Sequence, residues 1–417
     1  MGFKEWKEVK LEEVVDVLGD GLHGTPKYDE NGEYYFINGN NLLGKISIDE
    51  KTKRVSYEEY LKYKKPLNDR TILVSINGTL GNVATYNGEQ IILGKSACYF
   101  NVGTNYDKDF IKYVMHSDNF KHYINTYSTG TTIKNMGLKQ MRAFSFSVPP
   151  LQEQKAIANI LSSLDEKIEL NNQMNKTLEE MAQALFKRWF VDFEFPNEDG
   201  EPYKSSGGEM VDSELGMIPK GWKVSTLDEI GDIVAGGTPS TKNEEYYDGD
   251  IPWITPRDLS GYTKKFITKG ERSITELGLQ KSSAKLMPAY SVLFSSRAPI
   301  GYVVISKVEV CTNQGFKSIV CNEQKVPYNY IYWLLKTEKE KIESVASGST
   351  FKEVSGKTMK EYKIILPEKV LLAKFKDITD GFDKVILKNE EELDRLQEVR
   401  DILLPRLMSG EIRVAKL

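Results

Sequence analysis

Cysteine, histidine and long apolar runs are all scarce in this chain of 417 residues. The three cysteines, Cys98, Cys311 and Cys321, are too scattered for a disulfide framework, and the three histidines lack the spacing of metal ligands. No run of about 18 apolar residues occurs, so no membrane-spanning helix is predicted. The first residues also lack the apolar segment of a signal peptide. We therefore expect a cytoplasmic protein without a structural metal.

A strong excess of one charge is also missing, because the formal net charge is only −4. The acidic surplus is local, since residues 151–200 hold 5 Lys and Arg against 10 Asp and Glu. Residues 1–150 hold 19 basic against 18 acidic side chains, and residues 220–367 hold 21 basic against 17 acidic side chains. These two long segments are neutral to basic, which permits a nucleic-acid partner without demonstrating one.

Catalytic motifs are missing as well. Gly94-Lys95-Ser96 resembles the end of a phosphate-binding loop, but position 89, where that motif requires Gly, holds Glu. Pro149-Pro150 follows Val rather than the Asn or Asp of amino-methyltransferase loops, so we interpret it as helix punctuation. No Gly-x-Ser-x-Gly or His-Glu-x-x-His motif occurs. We therefore expect a chain that holds no cofactor and performs no chemistry alone.

The longest helical pattern runs over residues 151–191. Apolar and small residues recur there at alternating spacings of four and three, which is the heptad pattern of a helix that packs along another helix. The predicted seam is Ile157, Leu161, Leu164, Ile168, Asn171, Asn175, Leu178, Ala182, Leu185 and Trp189. Two copies of such a helix in one chain would form an intramolecular pair.

A second copy does close the chain, 218 residues further on. Its seam is Phe375, Thr379, Phe382, Ile386, Asn389, Leu393, Leu396, Arg400, Leu403 and Leu407. Asn171 and Asn389 occupy equivalent seam positions. Either long helices tolerate an occasional polar residue, or buried Asn fixes the register at a cost in stability. Pro405 is expected to kink or stop the second helix.

The globular segments repeat too. Both copies open with Trp-Lys and reach Gly-Thr-Pro, at 24–26 and at 237–239. Ser128–Lys134 also matches Ala346–Lys352. The repeat is about 217 residues long, so each copy is a whole domain with its helix. The predicted segments are a first domain (1–150), a central helix (151–194), a flexible linker (195–219), a second domain (220–367) and a C-terminal helix (368–413).

Short β-branched and aromatic runs bounded by Gly, Asn and Pro predict strands within each domain. They lie at 71–76, 90–93, 291–294 and 302–305. Residues 109–115 and 330–335 predict short helices. The fold class is therefore α+β, with two similar globular domains of mixed or antiparallel β-structure that are joined by two long helices.

Polar loops separate these elements and are rich in the side chains that bond phosphates and base edges. Ser, Thr, Asn and Gly are also how turns are made, so each loop alone favours that simpler interpretation. The duplication favours two copies of a DNA reader on a spacer. The candidate DNA-binding residues are Thr25, Lys27, Asn38, Asn40, Asn41, Ser75, Asn77, Lys95, Thr131, Thr132, Lys134, Thr238, Ser240, Lys242, Arg257, Asp258, Ser296, Arg297, Asn313, Gln314, Ser349, Thr350 and Lys352.

Several phrases resemble the specificity subunits of type I restriction–modification enzymes. They are Pro-Pro-Leu-x-Glu-Gln-x-x-Ile at 149–157, Gly-Gly-Thr-Pro-Ser at 236–240, Ile-Pro-Trp-Ile-Thr-Pro-Arg-Asp-Leu at 251–259 and Cys-Thr-Asn-Gln-Gly-Phe at 311–316. The resemblance covers essentially the whole chain. It departs in two places, since the first domain has Gly94-Lys95-Ser96 instead of Thr-Asn-Gln-Gly, and the second helix lacks the Glu-Gln pair.

The resemblance implies that each globular domain is a target-recognition domain that reads one half of a split sequence in double-stranded DNA. It implies that the helices form an antiparallel coiled coil, set the spacing and dock two methyltransferase subunits, with restriction subunits as further partners. S-adenosylmethionine, ATP and Mg would then belong to partner subunits. About 40 helical residues give a rod near 60 Å, enough to hold two readers in separate major-groove segments. The alternative is a two-domain scaffold or adhesin-like binding protein. A stand-alone methyltransferase is disfavoured because no cofactor loop occurs.

Overall fold

The computed structural model describes residues 5–348 and 352–414. The chain forms two compact units, and each combines segments from distant parts of the sequence. Unit 1 is Met1–Glu169 with Leu393–Leu417, and unit 2 is Leu170–Glu392. Within the described ranges, no helix combines the length and the apolar character that crossing a membrane requires.

Unit 1 contains a five-stranded sheet of order β2-β9-β6-β7-β4, a three-stranded sheet of order β5-β3-β8 and the pair β1–β10. Its strands are β1 (Lys7–Lys10), β2 (Val15–Asp20), β3 (Tyr34–Ile37), β4 (Leu42–Ile46), β5 (Arg54–Val55), β6 (Thr71–Ser75), β7 (Val83–Thr85), β8 (Ile91–Leu93), β9 (Ala97–Val102) and β10 (Ser145–Val148). The central strand β6 is buried along its whole length, as its continuous apolar run requires.

The helices of unit 1 begin at side-chain caps where the sequence supplies them. The Asp107 carboxylate accepts from the N–H of Phe110 at 2.9 Å, and the Ser117 hydroxyl accepts from that of Phe120 at 3.3 Å. The helices are α1 (Leu11–Val14), α2 (Tyr57–Tyr63), α3 (Lys108–His116), α4 (Asp118–Tyr127), α5 (Leu138–Ala143) and the first half of α6 (Leu151–Phe186).

Unit 2 has a five-stranded sheet of order β14-β21-β18-β19-β16, a three-stranded sheet of order β17-β15-β20 and the pairs β13–β22 and β11–β12. Its strands are β11 (Met210–Val211), β12 (Ile218–Pro219), β13 (Lys223–Thr226), β14 (Gly231–Ala235), β15 (Tyr247–Ile254), β16 (Phe266–Ile267), β17 (Arg272–Ile274), β18 (Val292–Ser296), β19 (Ile300–Ser306), β20 (Cys311–Thr312), β21 (Lys317–Cys321) and β22 (Lys363–Leu366).

Aromatic residues of one helix fill much of the core of unit 2, where Tyr330, Tyr332 and Trp333 are each at most 2% exposed. The helices of this unit are the second half of α6, α7 (Leu227–Ile230), α8 (Glu276–Gln280), α9 (Tyr328–Ser344), α10 (Gly356–Lys360) and most of α11 (Lys369–Met408). Helix α6 ends in a π-helical turn, Lys187–Val191, whose Trp189 and Phe190 are buried in the same core.

The two units have the same sheet topology. Strand for strand, β2-β9-β6-β7-β4 corresponds to β14-β21-β18-β19-β16, and β5-β3-β8 corresponds to β17-β15-β20. The parallel pairs also correspond, since β4–β7 matches β16–β19 and β3–β8 matches β15–β20. The sequence repeat is therefore a repeat of structure, and the predicted α+β class with mixed sheets is confirmed.

The two long helices pack antiparallel within each unit. In unit 1, Arg400 Nη1 lies 3.3 Å from Asp165 Oδ1, and Leu407 joins the core that contains Ile157. In unit 2, the Asn389 amide donates to Asn175 Oδ1 at 2.8 Å. Asn171 is fully buried there, and its amide donates to Glu392 at 2.8 Å. All twenty predicted seam residues are buried or half-buried.

Three expectations need correction. Helix α11 runs to Met408, because Pro405 removes only one hydrogen bond close to the helix end. Helix α9 is not short but has 17 residues, because Ile342 extends the buried apolar face beyond a polar stretch. Finally, the segment 195–219, which the sequence predicts as a flexible linker, contains the strand pair β11–β12, and Phe195 stacks on Trp222 at 5.2 Å between ring centroids.

Candidate nucleic-acid interface

Four polar segments of unit 1 converge where strands β3, β6 and β8 end. The N–H of Gly39 donates to Ser96 Oγ at 2.9 Å, and that hydroxyl donates to Asn38 Oδ1 at 3.1 Å. Thr79 Oγ1 donates to Asn40 Oδ1 at 3.2 Å. The N–H of Gly78 donates to the carbonyl of Lys134 at 3.0 Å. The structure thus brings together segments that lie up to about a hundred residues apart in the sequence.

Not every candidate in unit 1 lies in this cluster. Lys95, Thr131, Thr132 and Lys134 are exposed around it. Thr25 and Lys27 are exposed on a separate segment, where the N–H of Lys27 donates to Glu59 at 3.2 Å in α2. That segment begins beside the cluster, because Leu22 forms a bridge with Gly94.

Unit 2 assembles the equivalent loops through its own contacts. The Thr238 hydroxyl donates to the Gln314 side chain. The N–H of Gly237 donates to the carbonyl of Thr312 at 2.9 Å, and Trp253 Nε1 donates to the carbonyl of Gly237 at 2.9 Å. The Gly-Thr-Pro loop is therefore held against the loop that follows β20.

A short helical turn over Pro256–Leu259 presents Arg257, whose side chain is 84% exposed. The carboxylate of Asp258 faces inward and accepts from the N–H and the hydroxyl of Thr255, both at 2.7 Å, and from the N–H of Glu271 at 2.7 Å. Asp258 therefore caps this turn and fixes the conformation of the loop.

Charged side chains meet at the end of β18. Arg297 Nη1 lies 3.5 Å from Glu353 Oε2, and Lys317 Nζ lies 3.1 Å from Glu353 Oε1. The Lys317 ammonium also donates to Ser296 Oγ at 3.3 Å. The lysine side chain is only 9% exposed, whereas those of Arg297 and Glu353 are 34% and 36% exposed. The buried cation fixes the carboxylate, and the arginine remains at the surface.

Some candidates do not face solvent. Ser75 and Ser296 are fully buried, and their hydroxyls bond the Thr79 and Gly315 carbonyls. Both hydroxyls therefore help to hold the backbone of their loops. Asn41 and Asn313 also shape loops, since each side-chain oxygen accepts from a nearby backbone N–H at 3.0 and 2.9 Å.

Other candidates lie at the surface or outside the described residues. Ser240, Lys242, Gln314 and Lys352 are exposed. Ser349 and Thr350 lie outside the described residues.

Sequence reasoning missed Asn135, Lys317 and Glu353. Asn135 and Glu353 stand one residue beyond the matched phrases that end at Lys134 and Lys352, so extending the repeat by one position would have found them. Lys317 gave no local signal, because a lysine in a strand is ordinarily exposed.

Two of the three cysteines, Cys98 and Cys311, are buried within strands β9 and β20. Burial, with a smaller contribution from Glu276, raises the pKa of the Cys311 thiol to about 12. Burial also raises the pKa of Cys98. Since the thiolate is the reactive form, both side chains act as small apolar groups at neutral pH.

Two units with one topology, each presenting polar loops at equivalent strand ends, define a duplicated recognition protein. The sequence matches the family of the type I restriction modification DNA specificity domain twice, over residues 3–180 and 219–400. The chain belongs to this family and is a specificity subunit of the type I restriction–modification class.

Individual relatives agree with this assignment. The chain is 40% identical over 193 residues to the type I restriction enzyme MjaIX specificity subunit of Methanocaldococcus jannaschii, covering 46% of this chain and 44% of that relative. It is 31% identical over 336 residues to the HindI specificity subunit of Haemophilus influenzae, and this match covers 68% of this chain and 72% of that relative. The crystal structure of a type I restriction–modification S subunit from M. genitalium shares the fold, with a TM-score of 0.63, 19% identity and coverage of 97% and 96%.

Proposed function

We propose that this chain reads a split sequence in double-stranded DNA, with one half read by residues 1–150 and the other by residues 220–367. The observation that carries the proposal is the shared strand order of the two units, which places equivalent polar loops at equivalent strand ends. A duplicated reader matches a target of two parts, as paired half-sites match symmetric DNA-binding proteins.

Exposed cations supply the phosphate contacts in this proposal. Lys95 and Lys134 surround the loop cluster of unit 1, and Arg257 and Lys352 lie on the loops of unit 2. Phosphate contacts fix the register of a protein on the duplex, and amide and guanidinium groups then read base edges.

The helices 151–194 and 368–413 set the spacing and dock two methyltransferase subunits. In unit 2, one flank of the helix pair packs on the globular domain through buried polar contacts, such as that between Lys265 and Asp383. The opposite flank exposes apolar side chains at heptad-related positions. These side chains are Leu170, Met174, Met181, Ile378 and Val385, which are 38–50% exposed.

An exposed apolar stripe of this kind marks a protein-binding surface. A partner's helices would cover it and complete a bundle. The acidic surplus of residues 151–200 fits the same role, because it directs this segment away from DNA.

Catalysis belongs to the partners. S-adenosylmethionine binds in the methyltransferase subunits, and ATP and Mg serve restriction subunits, so the chain contributes recognition and no cofactor. The assembled enzyme works in the cytoplasm, where its DNA is.

The experiment is to map methylated positions in DNA that has been exposed to the complex of this chain with its methyltransferase subunits. The expected result is one motif of two specific parts and a fixed gap. Arg257→Ala and Lys352→Ala should each weaken binding across sequences and lower the salt dependence by about one counterion. Lys220→Ala, which removes an exposed cation just after β12, is the matched control. Methylation without a split motif contradicts the proposal.

A further inference from the structure

The two units place different side-chain pairs at one equivalent position. Asn77 and Asn135 form an isolated antiparallel bridge beside the end of β6 in unit 1. Arg297 and Glu353 form the same bridge beside the end of β18 in unit 2. The neighbouring contacts also correspond, because Ile76 and Ser296 donate from their N–H groups to the carbonyls of Ser96 and Gly315 at 2.9 and 2.7 Å.

The chemistry of the two pairs differs completely. In unit 1, Asn77 Nδ2 donates to Asn135 Oδ1 at 3.1 Å, and both residues are half-buried. Such an amide pair is neutral, and each amide keeps donor and acceptor capacity for a ligand. In unit 2 the pair is a guanidinium and a carboxylate, and each of the two side chains is about one third exposed.

The two units also differ at a neighbouring buried position, and this second difference matches the first. Lys317 stands two residues beyond Gly315, and the equivalent place in unit 1, two residues beyond Ser96, holds the fully buried Cys98. The ammonium of Lys317 holds Glu353 in place at 3.1 Å. A buried cation therefore supports the charged pair of unit 2, whereas the equivalent position in unit 1 holds a buried thiol.

We propose that Arg297 and Glu353 read a G·C base pair in the half-site of unit 2, and that Asn77 and Asn135 read an A·T base pair at the corresponding place in the half-site of unit 1. In the major groove, G presents the O6 and N7 acceptors that suit a guanidinium, and its partner C presents the N4 amino donor that suits a carboxylate. Adenine presents one donor and one acceptor, which suit an amide.

The carboxylate is the discriminating feature of this proposal. A carboxylate at a surface that contacts only phosphates would repel them, so an anchored Glu353 favours contact with an amino group on a base edge. This inference rests on the proposed function, because it requires the loops to enter the groove.

The test uses the whole complex with methyltransferase subunits and a library of duplexes in which both half-sites are randomised. Bound duplexes of the natural chain should show a split motif, with a G·C pair in the half-site of unit 2. The variant Arg297→Asn with Glu353→Asn should lose at least about fivefold of that preference at one position only. The half-site of unit 1 is the internal control for folding.

Two further variants separate base reading from phosphate binding. Arg297→Lys keeps the charge but loses the planar fork, so it should bind with similar salt dependence and discriminate less well for G·C. Asn77→Ala should weaken the preference for A·T in the other half-site alone. Unchanged preference in Arg297→Lys, or a unit 2 half-site without G·C, overturns the inference. The absence of any split motif with the natural chain overturns the proposed function instead.

Discussion

Replacing Lys265 with Met would remove the cation from a deeply buried ion pair of unit 2. The Lys265 side chain is 0% exposed and that of Asp383 is 2% exposed. Tyr328 Oη donates to the same carboxylate at 3.1 Å, and the N–H of Lys265 donates to Glu390 Oε1 at 2.9 Å. The pair attaches the globular domain to helix α11 within unit 2.

The expected loss follows from leaving a carboxylate buried without its partner. Breaking a buried pair from one side costs about 3–5 kcal/mol. Burial already raises the pKa of Asp383, and removing Lys265 should raise it further, so part of the loss would appear as protonation. For a domain of this size, the melting temperature of unit 2 should fall by roughly 6–20 °C.

Differential scanning calorimetry of the natural chain and three variants measures this effect. The double variant Lys265→Met with Asp383→Leu should recover most of the loss, because replacing a whole buried pair by apolar groups is often nearly neutral. Lys220→Met, which removes an exposed cation 2.8 Å from Glu209, should leave the melting temperature almost unchanged. Equal melting temperatures for the single and double Lys265 variants would refute the reasoning.

Three further perturbations have defined outcomes. Burial raises the pKa of Glu390 to about 7, so between about pH 4.5 and 7 the folded state holds a proton that the unfolded chain has lost. The free energy of unfolding should therefore fall over that range and then level off. Glu390→Gln should flatten this slope in urea titrations at several pH values. Asn171→Leu should raise the free energy of unfolding by about 1 kcal/mol, because the buried Asn171 Oδ1 has no hydrogen-bond partner in the structure; a lower midpoint in urea would show that the amide is needed. Deleting residues 172–178 together with 386–392 removes one heptad, or about 10 Å of length, from each helix. The gap in the methylated motif should then shorten by about 3 base pairs. An unchanged gap would mean that the helices do not set the gap.

Periodicity in the sequence was informative because it reflects packing along one dimension. The heptad spacing at Leu161 and Ile168 marks a buried face whatever the rest of the chain does. The apolar run Thr71–Ser75 likewise predicts a buried strand. Matched phrases then showed that these elements occur twice.

The loops could not be sorted in this way. Ser75 and Asn77 stand two residues apart in one polar segment, yet the first is fully buried and the second half-exposed. Which side chains of a loop face solvent depends on contacts with distant segments, such as the bridge from Asn77 to Asn135. Lys317 and Glu353 are 36 residues apart and meet only once β21 and the loop before α10 are in place.

The composition of unit 1 has a consequence for synthesis on the ribosome. This unit needs residues Leu393–Leu417, which follow Glu169 only after 223 intervening residues. At a synthesis rate of about 5–20 residues per second, the N-terminal segment would wait roughly 10–45 s for the C-terminal segment that completes its core. During that wait, Ile157 lacks Leu407, and Glu153 lacks the arginine at position 413, 2.7 Å away in the finished fold. Unit 2 is continuous in sequence, so it should complete first, and the half of the protein that is made first should be the last to fold.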